Sequence, residues 1–366
     1  MRNSIRAAGR TTIGLDLGDK YCHYHTVDSQ GELVNEGRLK TTPDALRERF
    51  ASLETARVVL ETGTHSPWVS RLVAECGHEV LVANPRQIPL IYQSSKKSDR
   101  TDCEILARVG RLDPKLLKPI QHRDAASQIS LAVLRARDNL VSARSKLINH
   151  VRGAVKSLGG RVVSCSADSF HDKALEFIPK ELQGALSPVV KVIGELTKQV
   201  RRYDKRIEKE LCEKKYPQTE VLREVPGVGP LTSLAFLLVL EDPRRFKDSR
   251  TVGAYLGLTP RKSDSGEIEP QLRITKAGDG FLRRLLVSSA HHILGPFGPD
   301  SDLRRFGQTI AQRGGKNAKK RAVIAVARKL AVLLHRLWIT GEVYEPLRNA
   351  ARKQKAAGPS STETRS

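Results

Sequence analysis

Four acidic side chains of this sequence occupy positions at which metal-assisted chemistry is possible. Asp16 lies inside an apolar segment, and Glu61 ends a second one. Asp99 and Asp102 are three residues apart in a segment with helical periodicity, so they share one helix face. Carboxylates that are brought together raise one another's pKa values unless cations lie between them. Mg²⁺ suits such oxygen ligands, and two of these ions can stabilise both the attacking and the leaving oxygen at a phosphodiester.

Each of these acids also has an ordinary structural interpretation. An aspartate between small and apolar residues can cap a turn, and a glutamate at the end of a strand can pair with an arginine. A helical Asp-x-x-Asp commonly belongs to a solvated face. Taken one at a time, the acids favour this interpretation. Their order, with one acid on each of two strands and then a helical pair, favours a metal site.

The segments that must position these acids alternate between strand and helix. Strands are predicted at 12–18, 21–27, 33–39, 56–62 and 79–83, and helices at 43–53, 67–76 and 98–109. A turn signal, Asp28–Gly31, separates the second strand from the third. Three strands followed by alternating helices and strands predict an α/β layer fold.

The middle of the chain is predicted to be helical. A basic helix with a seven-residue apolar repeat covers 129–158 and ends at Gly159, and 160–187 is predicted to be irregular. A second helix is predicted to start near Pro188. Its apolar residues are spaced by threes and fours, as in a coiled-coil seam, and they are Val189, Ile193, Leu196, Val200, Tyr203, Ile207 and Leu211. This seam could pair within the chain or between protomers.

A further helical region is predicted from 216 onward. The segment 222–230 is typical of a helix-hairpin-helix turn, in which Gly227 and Gly229 let backbone N–H groups approach a phosphate. The alternative is a tight helix–helix connection without a ligand. The predicted domains are therefore 11–158, 159–215 and 216–345, followed by a disordered tail at 346–366.

Composition favours a polyanionic partner, most simply nucleic acid. Of the 366 residues, 63 are Lys or Arg and 40 are Asp or Glu, which gives a formal charge of +23. Candidate backbone contacts on the basic helix are Arg135, Arg144, Lys146 and Arg152, and a C-terminal basic run covers 313–329. Any single basic run can instead be a solvated helix face.

Several protein classes are disfavoured by the same sequence. The longest apolar block, 231–240, is about half as long as a membrane span requires, and no secretory signal precedes the first strand. The five cysteines are scattered without a CxxC pair, which argues against a zinc knuckle or a disulfide framework. We therefore expect a soluble protein of a reducing compartment.

Three blocks around the acids resemble a known family. Ile13–Asp16, Leu60–Thr64 and Lys97–Asp102 are similar to the signature blocks of DEDD-type insertion-sequence transposases, a group that includes bridge-RNA-guided recombinases and Piv-type DNA invertases. The resemblance implies an RNase H-like (RuvC-like) N-terminal domain in which Asp16, Glu61, Asp99 and Asp102 hold Mg²⁺. One departure is Cys103-Glu104, where the family often has Asp-Ala.

Two later blocks, 255–266 and 274–286, resemble the C-terminal transposase domain of the same family. In that domain a serine before a glycine attacks DNA and forms a covalent phosphoserine. The matching position is Ser265, with Ser263 as the fallback, although a serine in such a loop is more often only a polar filler. Basic residues beside this loop are Lys276, Arg283 and Arg284.

The resemblance also implies partners for the chain. These are DNA at the element ends and target, a structured guide RNA, and further copies of the chain in a dimer or tetramer. It places the protein in the bacterial cytoplasm, at the nucleoid.

The main hypothesis from the sequence is a DNA transposase or recombinase that acts through serine with Mg²⁺. The first alternative is an RNase H-like nuclease or Holliday-junction resolvase that uses water as the nucleophile. The second is a non-catalytic helix-hairpin-helix DNA-binding protein with a degenerate nuclease fold.

Overall fold

The structure, a computed structural model, describes residues 11–84, 99–261 and 272–349. The chain divides into two compact units, 1–124 and 125–366. The first is a mixed α/β sheet with its helices, and the second is mostly helical. The first boundary falls before the long basic helix, whereas the sequence grouped that helix with the sheet.

A five-stranded sheet forms the centre of the first unit. Its strands are β1 (Thr12–Leu17), β2 (Tyr21–Val27), β3 (Leu33–Lys40), β4 (Arg57–Glu61) and β5 (Glu79–Ala83), in the order β3-β2-β1-β4-β5. The first three strands are antiparallel, and β4 and β5 run parallel to β1. All five predicted strands are confirmed. Asp28 makes the turn before β3, because its side chain accepts hydrogen bonds from three following backbone N–H groups.

Helices cover both faces of this sheet. They are α1 (Pro43–Ala51), α2 (Ser66–Glu75) and α3 (Asp99–Leu112). Leu15 and Leu60 belong to one apolar cluster with residues of α1 and α2. Val59 instead packs with Leu106 of α3. Because side chains alternate along a strand, the residues at positions 14, 16, 59 and 61 belong to the α3 face of the sheet.

Gly14 allows α3 to lie directly on β1. A Cβ atom at this position would be 1.9 Å from the carbonyl oxygen of Cys103 and 2.7 Å from the backbone nitrogen of Ala107. Both neighbours are backbone atoms of the helix, so they cannot move aside by changing a rotamer. The absence of a side chain at 14 therefore sets the distance between the first strand and the helix.

We expect Gly14→Ala to destabilise the first unit by about 1–3 kcal/mol, at the upper end for a clash with backbone. Gly153→Ala is the matched control, since no atom lies within 4 Å of its added Cβ. That control lies inside a helix and should stabilise by about 0.5–1 kcal/mol. Urea unfolding followed by circular dichroism measures both. Equal stability of wild type and Gly14→Ala would contradict the close packing described above.

Charged side chains fasten α3 to the sheet along its length. Arg100, near the start of the helix, forms an ion pair with Glu36 of β3. Near the end of the helix, the carbonyl of Gly110 accepts a hydrogen bond of 3.0 Å from Arg57, whose guanidinium also binds Glu79. The Arg57 side chain is buried, whereas that of Glu79 is partly open to solvent. The helix is thus held at both ends, and its N-terminal turn has a defined position over the sheet.

The second unit begins with a helical hairpin. Its long helices are α4 (Ala125–Ser157) and α6 (Lys180–Arg206), separated by the short α5 (Phe170–Lys173). Arg137 binds Asp204 at 2.8 Å and Arg144 binds Thr197 at 3.2 Å, so the two helices run antiparallel. Ile193 of the predicted seam packs with Ile148 and Val151 of α4, so part of the seam pairs within the chain, and the coiled coil stays a prediction.

The predicted start of the second long helix is wrong. The helix begins at Lys180 and contains Pro188 in its interior. A proline removes the hydrogen bond to the carbonyl four residues earlier. Here that carbonyl belongs to Gly184, which is exposed. Solvent can therefore replace the missing N–H donor. The helix continues as a π-helical segment, Ile207–Lys215.

The remaining α-helices described in the second unit include one apolar helix, Pro230–Leu240. They are α7 (Thr219–Arg223), α8 (Pro230–Leu240), α9 (Thr251–Tyr255), α10 (Gly280–Leu294), α11 (Asp302–Gln312) and α12 (Ala318–Thr340). Every residue of α8 from Thr232 to Leu240 is buried. The apolar block noted in the sequence is therefore a core helix. Within the described ranges, no helix is both long and apolar enough to cross a membrane.

Candidate active site

The register of the sheet places the first two predicted acids side by side. In the parallel pair of β1 and β4, Leu15 lies opposite Leu60. Asp16 and Glu61 are the next residue on each strand, so they occupy neighbouring positions toward the carboxyl ends of the strands. Both belong to the face that α3 covers. The in-register placement of these two carboxylates is a direct consequence of strand pairing.

The third acid comes from the helix above. Asp102 precedes Cys103, whose carbonyl lies against Gly14. Asp102 itself is buried, with 9% of its surface exposed. Burial raises the pKa of the Cys103 thiol to about 12, and the negative charge of Asp16 adds to this shift. Asp16 is therefore close to the helical turn that carries Asp102. Oε1 of Glu61 and Oδ1 of Asp102 are both buried.

The fourth acid is only partly described. Asp99 begins α3, one turn before Asp102. Its side chain lies outside the described part of the structure. That the four acids act together at one metal site therefore stays a prediction.

The acids that are described fit Mg²⁺ by donor type. Among the described residues, no three acidic, histidine or cysteine side chains already stand close enough to enclose one metal ion. Mg²⁺ does not need such a cage, because it commonly uses one or two carboxylates and completes its shell with water and substrate phosphate. Asp16 and Glu61, as neighbours with oxygen donors only, meet that requirement.

A serine and a histidine fix the loop that follows Glu61. Ser66 Oγ accepts a hydrogen bond from the N–H of Gly63 and donates to its carbonyl, each at 2.9 Å. His122 Nε2 lies 2.8 Å from the same hydroxyl. Protonation of His122 at Nε2 satisfies all three contacts, since the hydroxyl then donates once and accepts twice. The sequence contained no signal for this pair, because residues 66 and 122 meet only in the folded chain.

We expect His122 to make the first unit less stable as the pH falls. Burial lowers the pKa of His122, and the charges of Arg71 and Arg123 lower it further. In the unfolded chain, the imidazole of residue 122 takes up a proton near pH 6.5, whereas in the folded chain it does so only at lower pH. The free energy of unfolding therefore decreases as the pH falls below about 6.5. His122→Gln, which keeps a donor, should show a smaller decrease in urea titrations between pH 7.5 and 5.5. An identical decrease would contradict this assignment.

The predicted nucleophiles, Ser265 and its alternative Ser263, lie outside the described residues. The chain on either side is described, and its two arms are paired. Pro260 and Ile274 form an isolated bridge, and the N–H of Arg261 donates to the carbonyl of Arg273 at 3.0 Å. The described ends of the chain on either side of both serines are therefore adjacent.

The two sequence blocks beside this loop pack against each other. The N–H of Lys276 donates to the carbonyl of Gly257 at 3.2 Å. A Cβ atom at Gly257, which has a φ of +66°, would lie 2.3 Å from the nitrogen of Ala277. Arg283 donates from Nη1 to the carbonyls of Leu256 and Ala277. Arg283, predicted as a nucleic-acid contact, thus holds these two blocks together.

The other predicted basic contacts are in several different environments. Arg144 is buried and binds Asp168, so it stabilises the helical hairpin instead of facing solvent. Arg152 lies against Cys165 and the ring of Phe170. Arg135 and Arg284 form ion pairs with Asp279 and Asp138, whereas Lys146 and Lys276 are exposed. Of this set, the two lysines are the clearest candidates for contact with a polyanion.

The predicted helix-hairpin-helix turn joins α7 to α8. Gly227 has a φ of +85°, and its position faces α10, since an added Cβ would lie 3.1 Å from the carbonyl oxygen of Ser289. Gly229 precedes α8, which begins at Pro230 as predicted. The turn is therefore tightly packed on one side. Phosphate binding by this turn stays a prediction.

Comparison with known proteins first gives the class of this chain. Two family models match it, and both describe transposases. One, a DEDD transposase model, matches residues 13–159, and the other, "Transposase IS116/IS110/IS902 family", matches residues 219–303. The chain belongs to the IS110/IS116 family of transposases. Members of this class act on DNA, which agrees with an enzyme that cleaves and rejoins DNA strands.

Individual relatives cover most of the chain. The transposase for insertion sequence element IS1111A of Coxiella burnetii is 27% identical over 339 residues, which is 91% of this chain and 90% of the relative. A probable family 20 transposase of Pseudomonas aeruginosa is 28% identical over 91% of this chain and 98% of its own length. A pilin gene-inverting protein of Moraxella bovis is 24% identical over 76% of this chain and 79% of the relative.

Proposed function

We propose that this transposase cuts and rejoins DNA through a covalent serine–DNA intermediate, with Mg²⁺ held by Asp16, Glu61, Asp99 and Asp102. The observation that carries the metal site is the register of β1 and β4, which sets Asp16 beside Glu61 beneath the helix of Asp102. The sheet order, with three antiparallel strands and two parallel additions, supports an RNase H-like first unit.

The proposed chemistry conserves the energy of the phosphodiester bond in a covalent link to serine. The hydroxyl of Ser265 loses its proton and attacks the phosphorus, and the bond from phosphorus to one deoxyribose oxygen breaks. That oxygen takes a proton and leaves as a hydroxyl. A deoxyribose hydroxyl from another strand then attacks the phosphoserine, which restores the serine and joins the new strand. Bound Mg²⁺ supplies Lewis-acid stabilisation of the charged phosphate oxygens.

The paired arms support a nucleophile in the segment between them, and the family resemblance assigns that role to Ser265 rather than Ser263. Consecutive Cα atoms are about 3.8 Å apart, so four residues from Arg261 span at most about 15 Å. Covalent geometry alone keeps Ser265, and equally Ser263, within that distance of Arg261, beside the bridge between Pro260 and Ile274. Basic side chains at the same place, Arg273 and Lys276, suit a DNA backbone.

We further propose that a structured RNA guides the reaction and that the protein acts as a dimer or tetramer. The formal charge of +23 supports binding of more than one nucleic acid segment. In an oligomer, the acids of one protomer and the serine of another could act at one phosphate. Specificity would then come from base pairing with the RNA, since contacts to backbone phosphates carry no sequence information.

The test is a strand-exchange reaction with element-end DNA, target DNA and Mg²⁺, with and without RNA transcribed from the element's flank. We expect joined product and a protein–DNA adduct that survives denaturing electrophoresis, both absent when EDTA is added. Cleavage without an adduct would favour a nuclease that uses water. DNA binding with no cleavage under any condition would favour a non-catalytic DNA-binding protein. Equal activity without RNA would overturn the guide proposal alone.

A further inference from the structure

An open groove in the second unit lies beside the two arms of the serine loop. It has a volume of about 820 Å³ and is formed by α11, α12 and the bridge between Pro260 and Ile274. Its floor is apolar and includes Leu258, Phe306 and Ile324. The sequence predicted a basic run at 313–329, but the groove itself arises only when that run packs against the bridged arms.

Six cationic side chains line this groove. They are Arg273, Lys276, Arg313, Lys320, Arg321 and Arg328. No carboxylate is among the described residues that line it. Lys320 and Arg328 are two helical turns apart on α12, with Ile324 between them, so cations and apolar surface alternate over about 12 Å. A concave surface with this composition suits a ligand that is both polyanionic and apolar.

The backbone of Lys276 has an unusual conformation at the edge of this groove. It has a φ of +56°, which an L residue with a side chain seldom adopts. Its N–H is held by the carbonyl of Gly257. Backbone strain of this kind persists where the surrounding structure enforces it. Here it holds a lysine at the edge of the groove.

We propose that this groove binds a short segment of single-stranded DNA, with phosphates on the six cations and unstacked bases on the apolar floor. A duplex turns its base faces inward and presents sugar and phosphate, so it would leave the floor uncovered. A single strand exposes both parts, and proteins that bind it combine a cationic track with apolar or aromatic platforms.

The composition of the groove also favours DNA over RNA. A 2′-hydroxyl needs hydrogen-bond partners, which is how proteins recognise RNA. Among the described lining residues, Asn317 is the one with a neutral polar side chain. The choice of DNA also rests on the proposed strand-transfer function, in which strands near the serine loop must separate before they are rejoined. The binding itself requires no catalysis.

The test compares two charge reversals on the same helix in the full-length protein. Lys320→Glu places an acid in the groove, whereas Lys319→Glu makes the same change of charge at an exposed neighbour that does not line it. Fluorescence anisotropy without Mg²⁺ gives affinities for oligothymidylate of about ten nucleotides. The other probes are a duplex, an oligouridylate and an abasic strand of the same length.

We expect Lys320→Glu to weaken binding of oligothymidylate by at least about tenfold more than Lys319→Glu does. It should also reduce the slope of log affinity against log salt concentration by about 0.7 for each phosphate that is no longer neutralised. Both variants should affect the duplex equally. The abasic strand should bind wild type at least about tenfold more weakly than oligothymidylate, because it lacks stacking on the floor.

Three results would overturn the proposal. Equal weakening of oligothymidylate binding in both variants would show that only overall charge matters. A selective effect of Lys320→Glu on the duplex would make the groove a duplex site, and tighter binding of oligouridylate would make it an RNA site. None of these binding measurements involves DNA cleavage. The proposed serine chemistry is therefore tested separately, by the adduct assay.

Discussion

Ser265→Ala is expected to abolish the covalent protein–DNA adduct, whereas Ser263→Ala should retain it. Removing the attacking oxygen leaves nothing to form the phosphoserine, and removal of a serine nucleophile in a well-studied hydrolase costs on the order of 10⁶-fold in rate. No comparable decrease is expected two residues away. The measurement uses radiolabelled element-end DNA with Mg²⁺ and denaturing electrophoresis, so that only covalent complexes migrate with the protein.

Two controls make this prediction specific. Each variant should bind the same DNA with wild-type affinity, which separates an effect on chemistry from an effect on binding. Ser265→Cys should also be tested, because a thiol can attack phosphorus and would give an adduct of different alkaline stability. An adduct that persists in Ser265→Ala and disappears in Ser263→Ala would transfer the nucleophilic role to Ser263. Adducts in both variants would mean that neither serine is the nucleophile.

Asp16→Asn should have the second large effect, a decrease in DNA cleavage by about 10³-fold or more. The amide has the shape of the carboxylate but not its charge, and stabilisation of phosphate oxygens by a bound metal supplies several kcal/mol. The same change should remove the stabilisation of the folded protein by Mg²⁺. A ligand at about 100 times its dissociation constant stabilises the folded state by about 2.7 kcal/mol, so the thermal midpoint of wild type should rise with Mg²⁺.

Asp19→Asn is the matched control for this prediction. Asp19 lies three residues along the chain, carries the same charge and has an almost fully exposed side chain, 3.6 Å from His65. It should leave both cleavage and the Mg²⁺-dependent midpoint unchanged. If Asp16→Asn still cleaves with an unchanged Mg²⁺ dependence, the acids are structural. If Asp19→Asn matches Asp16→Asn, the effect comes from overall negative charge at this edge and not from a defined metal ligand.

Local patterns were sufficient for the secondary structure around the acids. Most strands of the sheet have a continuous apolar or alternating segment, and turn residues such as Asp28 and Gly31 bound the weaker third strand. These signals act over a few residues and do not depend on the fold. The same kind of reasoning failed at Pro188, because a proline is tolerated inside a helix when the freed carbonyl, here that of Gly184, can reach solvent.

The candidate site could be predicted only in part. The residue types and order of the acids pointed to Asp16, Glu61, Asp99 and Asp102. In the structure, Asp16 and Glu61 are neighbours on the sheet face that α3 covers, and Asp102 belongs to α3. Arg144 shows the limit of charge patterning. Its position in a basic helix suggested contact with nucleic acid, but its guanidinium is buried in the hairpin with Asp168. Burial depends on which helix packs opposite, and a charge count does not contain that information.

Sequence alone was enough to determine the strands, the acidic residues, the strong positive charge and the resemblance to a transposase family, because each of these is a property of residues close together in the chain. Tertiary structure decided the pairing of Leu15 with Leu60, the contact of Gly14 with the helix of Asp102, the clamp of Ser66 by His122, and the cationic groove. The physical reason is that each of these features joins residues far apart in the chain. Such contacts depend on backbone pairing and close packing, which no local pattern specifies.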